Sequence, residues 1–179
     1  MYLLLFLSMI SVEGPDITKK ELDNGLRVIF VEDHSLPVFA GIVQFDNGSV
    51  YEHPGITGIS HLLEHMLFKG TEKLGTINYK KESEIIEEIK NLYHKLEMAT
   101  PEEKERIKEE IENLKEKEKD YVVPEEIWAI YAREGGTWMN AFTGETTTQY
   151  FVMLPSNKKE VWAKIESDRF INPVLREFF

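Results

Sequence analysis

His61-Leu62-Leu63-Glu64-His65 sets two imidazoles four residues apart, with a carboxylate beside the second. On an α-helix, positions i, i+3 and i+4 share a face. Two neutral imidazoles at that spacing can grip one Zn²⁺, and the neighbouring carboxylate can carry a proton. Zinc makes a water molecule acidic near neutral pH. Glu64 is then placed to take that proton during attack on a carbonyl and to pass it to a leaving amine. Two ligands do not complete a catalytic zinc site, which takes three from the protein. The chain has no cysteine, so the third is expected to be a carboxylate. The plainer reading of the trio is a solvated helix face. Such faces are normally filled by Lys, Glu and Arg, and neither Lys nor Arg occurs from Leu62 to Phe68. His34, His53 and His94 have no comparable neighbours and read as loop or surface residues.

The elements that must hold the trio follow from the flanking pattern. A helix is predicted over Thr57 to Lys69, introduced by Pro54-Gly55 and stopped by Gly70. Ile59, Leu62, Leu63, Met66 and Leu67 recur at i, i+3, i+4, i+7 and i+8, the signature of a buried stripe. His61, Glu64, His65 and Phe68 are thereby expected on the opposite side. Upstream, Ile17 to Leu22 and Leu26 to Glu32 read as strands joined by a two-residue Asn24-Gly25 turn. Val38 to Phe45 is a third strand, apolar enough to be central. Downstream, Lys80 to Asp120 is dominated by Lys and Glu and reads as a helical hairpin with solvated flanks. Thr100-Pro101-Glu102-Glu103 marks the start of its second helix, with Thr100 as cap, Pro101 at the first helical position and Glu103 closing a capping box. A helix over Glu125 to Glu134, strands over Trp138 to Thr143 and Thr147 to Leu154, and a helix over Lys158 to Phe170 capped by Ser156 complete the pattern.

Composition narrows the remaining possibilities. With 179 residues, 42% of them hydrophobic, the chain can build one domain with a core and an appendage. A net charge of -11, from 32 acidic against 21 basic residues, argues against nucleic acid as a partner. Met1 to Ile10 is continuously apolar but too short to span a bilayer. It resembles the core of a signal peptide, so residues 1-14 are expected to be a leader and the protein to be exported to a periplasmic or membrane-associated location. The alternative is an apolar N-terminal strand. The chain ends on Phe178-Phe179 without a polar tail and reads as cut.

The order HxxEH inverts the commoner HExxH zinc motif. Gly58-Ile59-Ser60-His61-Leu62-Leu63-Glu64-His65-Met66-Leu67-Phe68-Lys69-Gly70-Thr71 resembles the zinc-helix region of the pitrilysin, insulinase and mitochondrial processing peptidase family. Leu22-Asp23-Asn24-Gly25-Leu26-Arg27-Val28 is similar to that family's first hairpin. Asn140-Ala141-Phe142-Thr143 with Thr148 and Tyr150, and Glu166 to Phe170 with Asn172-Pro173, also match. The resemblance implies a zinc endopeptidase of α+β class, with a twisted, mostly antiparallel sheet backed by helices. The matching region is a partial peptidase domain over 15-179, with a hairpin insert at about 80-122. It implies His61 and His65 as Zn²⁺ ligands, Glu64 as general base, and Asn140, Ala141 and Phe142 as an edge strand that receives the substrate backbone. It places the third ligand, a glutamate, beyond Phe179, so none of Glu145, Glu166 and Glu177 is assigned to it. It also implies a second homologous domain or subunit that closes over a peptide or unfolded polypeptide substrate. The competing reading is an inactive, peptide-binding partner subunit of such a peptidase.

Overall fold

The structure, a computed structural model, describes residues 14–178. The expected leader therefore lies almost wholly outside the described residues. Among the described residues no helix is long and apolar enough to cross a membrane. The chain divides after Pro37 into two compact units.

The first unit is a hairpin of β1 (Asp16–Glu21) and β2 (Arg27–Glu32), paired antiparallel with Glu21 opposite Arg27. Its connection is one residue longer than the expected two-residue turn. Leu22 bonds back to Leu26 through its amide at 2.9 Å, and the Gly25 amide donates to Leu22 O at 2.8 Å. Only Gly25 has positive φ, at 83°, and Asn24 does not. This is the three-residue hairpin loop in which glycine supplies the single left-handed position.

The second unit is α+β. Its sheet contains β3 (Val38–Phe45), β4 (Thr137–Thr143) and β5 (Thr148–Pro155), all antiparallel in the order β3-β5-β4. The middle strand is β5, not β3 as expected from its apolar run. Strand β5 alternates strictly, burying Thr148, Tyr150, Val152 and Leu154. Val38, Ile42 and Phe45 of β3 remain exposed, so apolar content alone misplaced the centre of the sheet.

Five helices accompany the sheet: α1 (Ile59–Met66), α2 (Tyr79–Met98), α3 (Pro101–Lys119), α4 (Glu126–Arg133) and α5 (Lys159–Ile171). Val152 and Leu154 pack with Ile127 and Tyr131 of α4 and Ile165 of α5 in the main core. The α2–α3 hairpin has its own apolar seam, Ile89, Leu92, Ile111 and Leu114. The expected capping box is present: Thr100 Oγ1 accepts from the Glu103 amide, and Glu103 accepts from the Thr100 amide at 2.9 Å. Ser156 does not cap α5. It opens a 3₁₀ turn, Ser156–Lys158, and no side-chain cap bond is made there or at Lys158.

Buried ions tie the helices to the sheet. Glu166 accepts from Tyr131 Oη at 2.7 Å and from Arg169 Nη2 at 2.6 Å. The Arg169 guanidinium lies over Phe68, Tyr150 and Phe170 at 4.6–4.7 Å from the ring centres. A cation held this way joins the segment after α1 to β5 and α5.

Candidate metal centre

Helix α1 is shorter than predicted, because Gly58 stands before it with φ 90° and Leu67 ends it. It carries no side-chain cap of its own. Glu52, six residues ahead of Gly58, supplies one: its carboxylate accepts from the Gly58 amide at 2.7 Å and the Ser60 amide at 2.9 Å. Those two amide bonds hold Glu52 below the ordinary glutamate pKa. The loop leading to α1 is fixed in turn against the β4–β5 turn. Ser49 and Val50 donate to the carbonyls of Gly144 and Glu145, and Thr148 Oγ1 donates to Asn47 O at 3.0 Å. Gly48 admits this approach, since a Cβ there would lie 2.4 Å from Gly144 O.

The buried side of α1 differs from the predicted stripe. Ile59, Leu62 and Leu63 are 38–43% exposed, whereas Ser60, Glu64, Met66 and Leu67 are buried. The line that meets β4 and β5 is therefore partly polar. Glu64 can be buried there because Thr143 Oγ1, on β4, donates to its Oε2. That donor satisfies a desolvated carboxylate that would otherwise be costly to bury. The other oxygen, Oε1, has no hydrogen-bond partner among the described residues and is not sealed from solvent.

One turn of this helix assembles the predicted trio. His61 and His65 are exposed, and their Nε2 atoms approach to 3.1 Å. Each of His61, Glu64 and His65 offers a ligand atom within 4.8 Å of the others. Two imidazole nitrogens on a tetrahedral zinc are separated by about 3.3 Å, given Zn–N bonds near 2.05 Å. The spacing of the two rings fits such an ion. Neutral rings that aim lone pairs at each other need a proton or a cation between them. Among the described residues no further His, Asp or Glu joins this group. Glu166 is committed to Arg169 and Tyr131, and Glu177 pairs with Lys69.

The predicted substrate strand stands next to the trio. Strand β4 is an edge of the three-stranded sheet, with Asn140 opposite Phe151, Ala141 opposite Tyr150 and Phe142 opposite Gln149. A register shift between Thr137 and Asn140 puts Trp138 at φ 55°. Asn140 and Phe142 are exposed, and the Asn140 side chain accepts from the Ala141 amide at 2.9 Å. Ala141, Phe142 and Thr143 line a 450 Å³ cleft together with His61 and Glu64. Asn140 borders a second, larger cleft with Glu64 and His65. His34, His53 and His94 are outside the cluster, His34 lying beside Glu32 and His53 beside Pro54 O.

Two contributors had no role assigned to them from the sequence. Thr143 reaches Glu64 across 79 residues, and Glu52 acts on a helix through an intervening loop. Neither fits a local motif.

Residues 27–108 match the family model described as Insulinase (Peptidase family M16). The chain is 41% identical over 64 residues to insulin-degrading enzyme of Bos taurus, covering 36% of this chain and 6% of that protein. It is 41% identical over 63 residues to mitochondrial-processing peptidase subunit beta of Dictyostelium discoideum, covering 35% and 13%. A zinc protease of Bacillus subtilis, YmxG, is 42% identical over 55 residues, covering 31% and 13%. The crystal structure of a protease from Helicobacter pylori superposes with a TM-score of 0.60 at 22% identity, over 91% of this chain and 27% of that one. The matched segments thus span a small part of each relative's length.

Proposed function

We propose that the chain belongs to the pitrilysin/insulinase family of peptidases, whose model its residues 27–108 match, and that it carries the zinc-binding half-site of an endopeptidase that hydrolyses peptides or small unfolded polypeptides. The observation that carries this reading is the convergence of His61, Glu64 and His65 within 4.8 Å on one turn of α1. His61 and His65 hold the metal through Nε2. When bound, zinc supplies a Lewis acid that polarises the scissile carbonyl and acidifies water. The free Oε1 of Glu64 takes the proton of the attacking water and returns it to the leaving amine, while Thr143 keeps the carboxylate oriented through Oε2. The third zinc ligand comes from outside the described cluster, since Glu64 is reserved for the proton.

The edge of β4 receives the substrate as an added strand. Main-chain bonds along Asn140, Ala141 and Phe142 hold an extended backbone with little demand on side chains. That mode suits unfolded polypeptides, and a covering domain or subunit would complete the cleft.

Replacing Glu64 with Gln tests the assignment in the protein that also carries the third ligand and the covering domain or subunit, with a quenched peptide as substrate and metal content measured in parallel. Turnover should fall at least about 100-fold while zinc is retained, and a chelator should abolish wild-type cleavage until zinc is restored. Cleavage that survives Glu64→Gln would remove Glu64 from the reaction. Peptide binding without any cleavage would favour the partner-subunit role instead.

A further inference from the structure

Strand β4 carries a backbone outlier two residues before Asn140. Trp138 has φ 55°. In that left-handed conformation the Cβ of an L-residue crowds the following carbonyl, and a bulky side chain adopts it rarely. Besides glycines, only Glu125 and Glu177 share positive φ among the described residues. The outlier is held from both sides. Thr137 pairs with Met153, Met139 packs against the main core, and pairing resumes with Asn140 opposite Phe151. Three steps along β4 therefore answer two along β5, so β4 bulges by one residue here. A bulge of this kind re-aims a side chain or ends a ladder, and bulges gather beside active sites.

The strain brings the fold little packing in return, because Trp138 is 78% exposed. Glycine would take the same φ freely. A large aromatic surface kept at a strained position next to a site points to binding. Strand β4 is an edge of its sheet, and its Ala141, Phe142 and Thr143 line the cleft that holds His61 and Glu64. At about 3.4 Å per residue, Trp138 is roughly 7 Å along the strand from Asn140. A peptide added on Asn140, Ala141 and Phe142 that continues for two or three residues reaches the indole. Strand β4, Thr137–Thr143, contains no charged side chain, and Phe142 is exposed as well. Such an edge favours apolar partners, and aromatic or branched side chains gain most from pairing with it.

We propose that Trp138 is a specificity-determining residue whose indole receives an aromatic or large aliphatic side chain of the peptide, two or three residues along from the stretch held by Asn140, Ala141 and Phe142. The proposal rests on the peptidase reading above, because that reading lays the peptide on β4. The fold then keeps a strained backbone for a contact made only with substrate.

The test uses the protein that also carries the third ligand and the covering domain or subunit, loaded with zinc. Its substrates are quenched peptides in which one residue is Phe, Leu, Ala or Lys, scanned over four positions on each side of the cleaved bond. At one position the Phe or Leu peptide should have a kcat/KM at least about tenfold above the Ala peptide. In Trp138→Gly that ratio should fall to within about twofold, while the urea midpoint stays level or rises because glycine relieves the strain. Trp138→Phe should keep most of the ratio. No apolar preference at any position, a preference that persists in Trp138→Gly, or a preference for Lys over Phe and Leu would overturn the proposal. An equal loss for every peptide in Trp138→Gly would overturn it too, by making the indole a support for the fold or for the covering half. Binding of the same peptides to the Glu64→Gln form, followed by fluorescence anisotropy, gives a readout independent of turnover. Phe-selective binding that needs Trp138, with no cleavage by the unaltered protein, would uphold the Trp138 assignment and sink the peptidase reading. Cleavage without selectivity would sink the assignment and leave that reading standing.

Discussion

Helices α1 and α3 are fixed by opposite means. Helix α3 secures its own beginning: Thr100, Pro101 and Glu103 are within four residues of one another, and the capping box closes among them. Helix α1 takes its start from Glu52, its buried carboxylate's donor from Thr143, and the anchor just past its end from Arg176. The helix that carries His61, Glu64 and His65 is the one that depends on distant residues. A site formed by several segments gains precision because each segment restricts the others. It also becomes vulnerable to changes far from it in sequence.

The largest expected break is at Arg176. Its guanidinium pairs with Glu82 of α2 and donates to the carbonyls of Lys69 and Thr71, each at 2.9 Å. Both partners of the pair are at most 1% exposed. Gly70 and Gly75, at φ 108° and 80°, wrap the loop after α1 closely around it. Arg176→Met leaves Glu82 charged and uncompensated, at a cost of about 3–5 kcal/mol in urea unfolding. Adding Glu82→Leu should recover much of that loss, because the stranded charge is removed. A single-variant cost below about 1 kcal/mol would show that the pair does not anchor the segment after α1.

Glu52→Gln should have a smaller effect, concentrated on the metal centre. The folded carboxylate sits below its ordinary pKa of 4.5. Its contribution is therefore complete above that value and is lost as pH falls through the lowered folded value. The stability gap between wild type and Glu52→Gln should persist at neutral pH and close in acid. Zinc affinity should drop by less than the about 10–100-fold that follows loss of a ligand's own hydrogen-bond partner. A gap that widens on acidification would contradict the capping role.

The same contrast explains what was legible in the sequence. The capping box, the charged hairpin, the strand pair around Gly144 and the His61/Glu64/His65 trio all rest on spacings of a few residues, and the structure places them as those spacings imply. The buried face of α1 was not legible. Ile59, Leu62 and Leu63 follow helical periodicity, yet the line against the sheet runs through Ser60 and Glu64. Periodicity counts apolar residues and gives no weight to a carboxylate whose donor is on another strand. The central strand was misplaced for a related reason. Strand β5 is in the middle because both of its edges are paired, a property of the sheet that its composition only partly reflects.

Thr100→Ala gives the smallest effect and the clearest control. It removes the acceptor for the Glu103 amide and the reciprocal geometry of the box, at a cost of about 1 kcal/mol. The hairpin seam of Ile89, Leu92, Ile111 and Leu114 is separate from the core beneath the sheet. The loss should therefore appear as faster amide exchange in the first turn of α3, with zinc affinity unchanged. The α1–β4 region should keep its protection, because the bonds of the capping box are made between Thr100 and Glu103. If Thr100→Ala instead weakened zinc binding as much as Glu52→Gln, the two helices would not be independently fixed, and the hairpin would have to be treated as part of the metal centre's support.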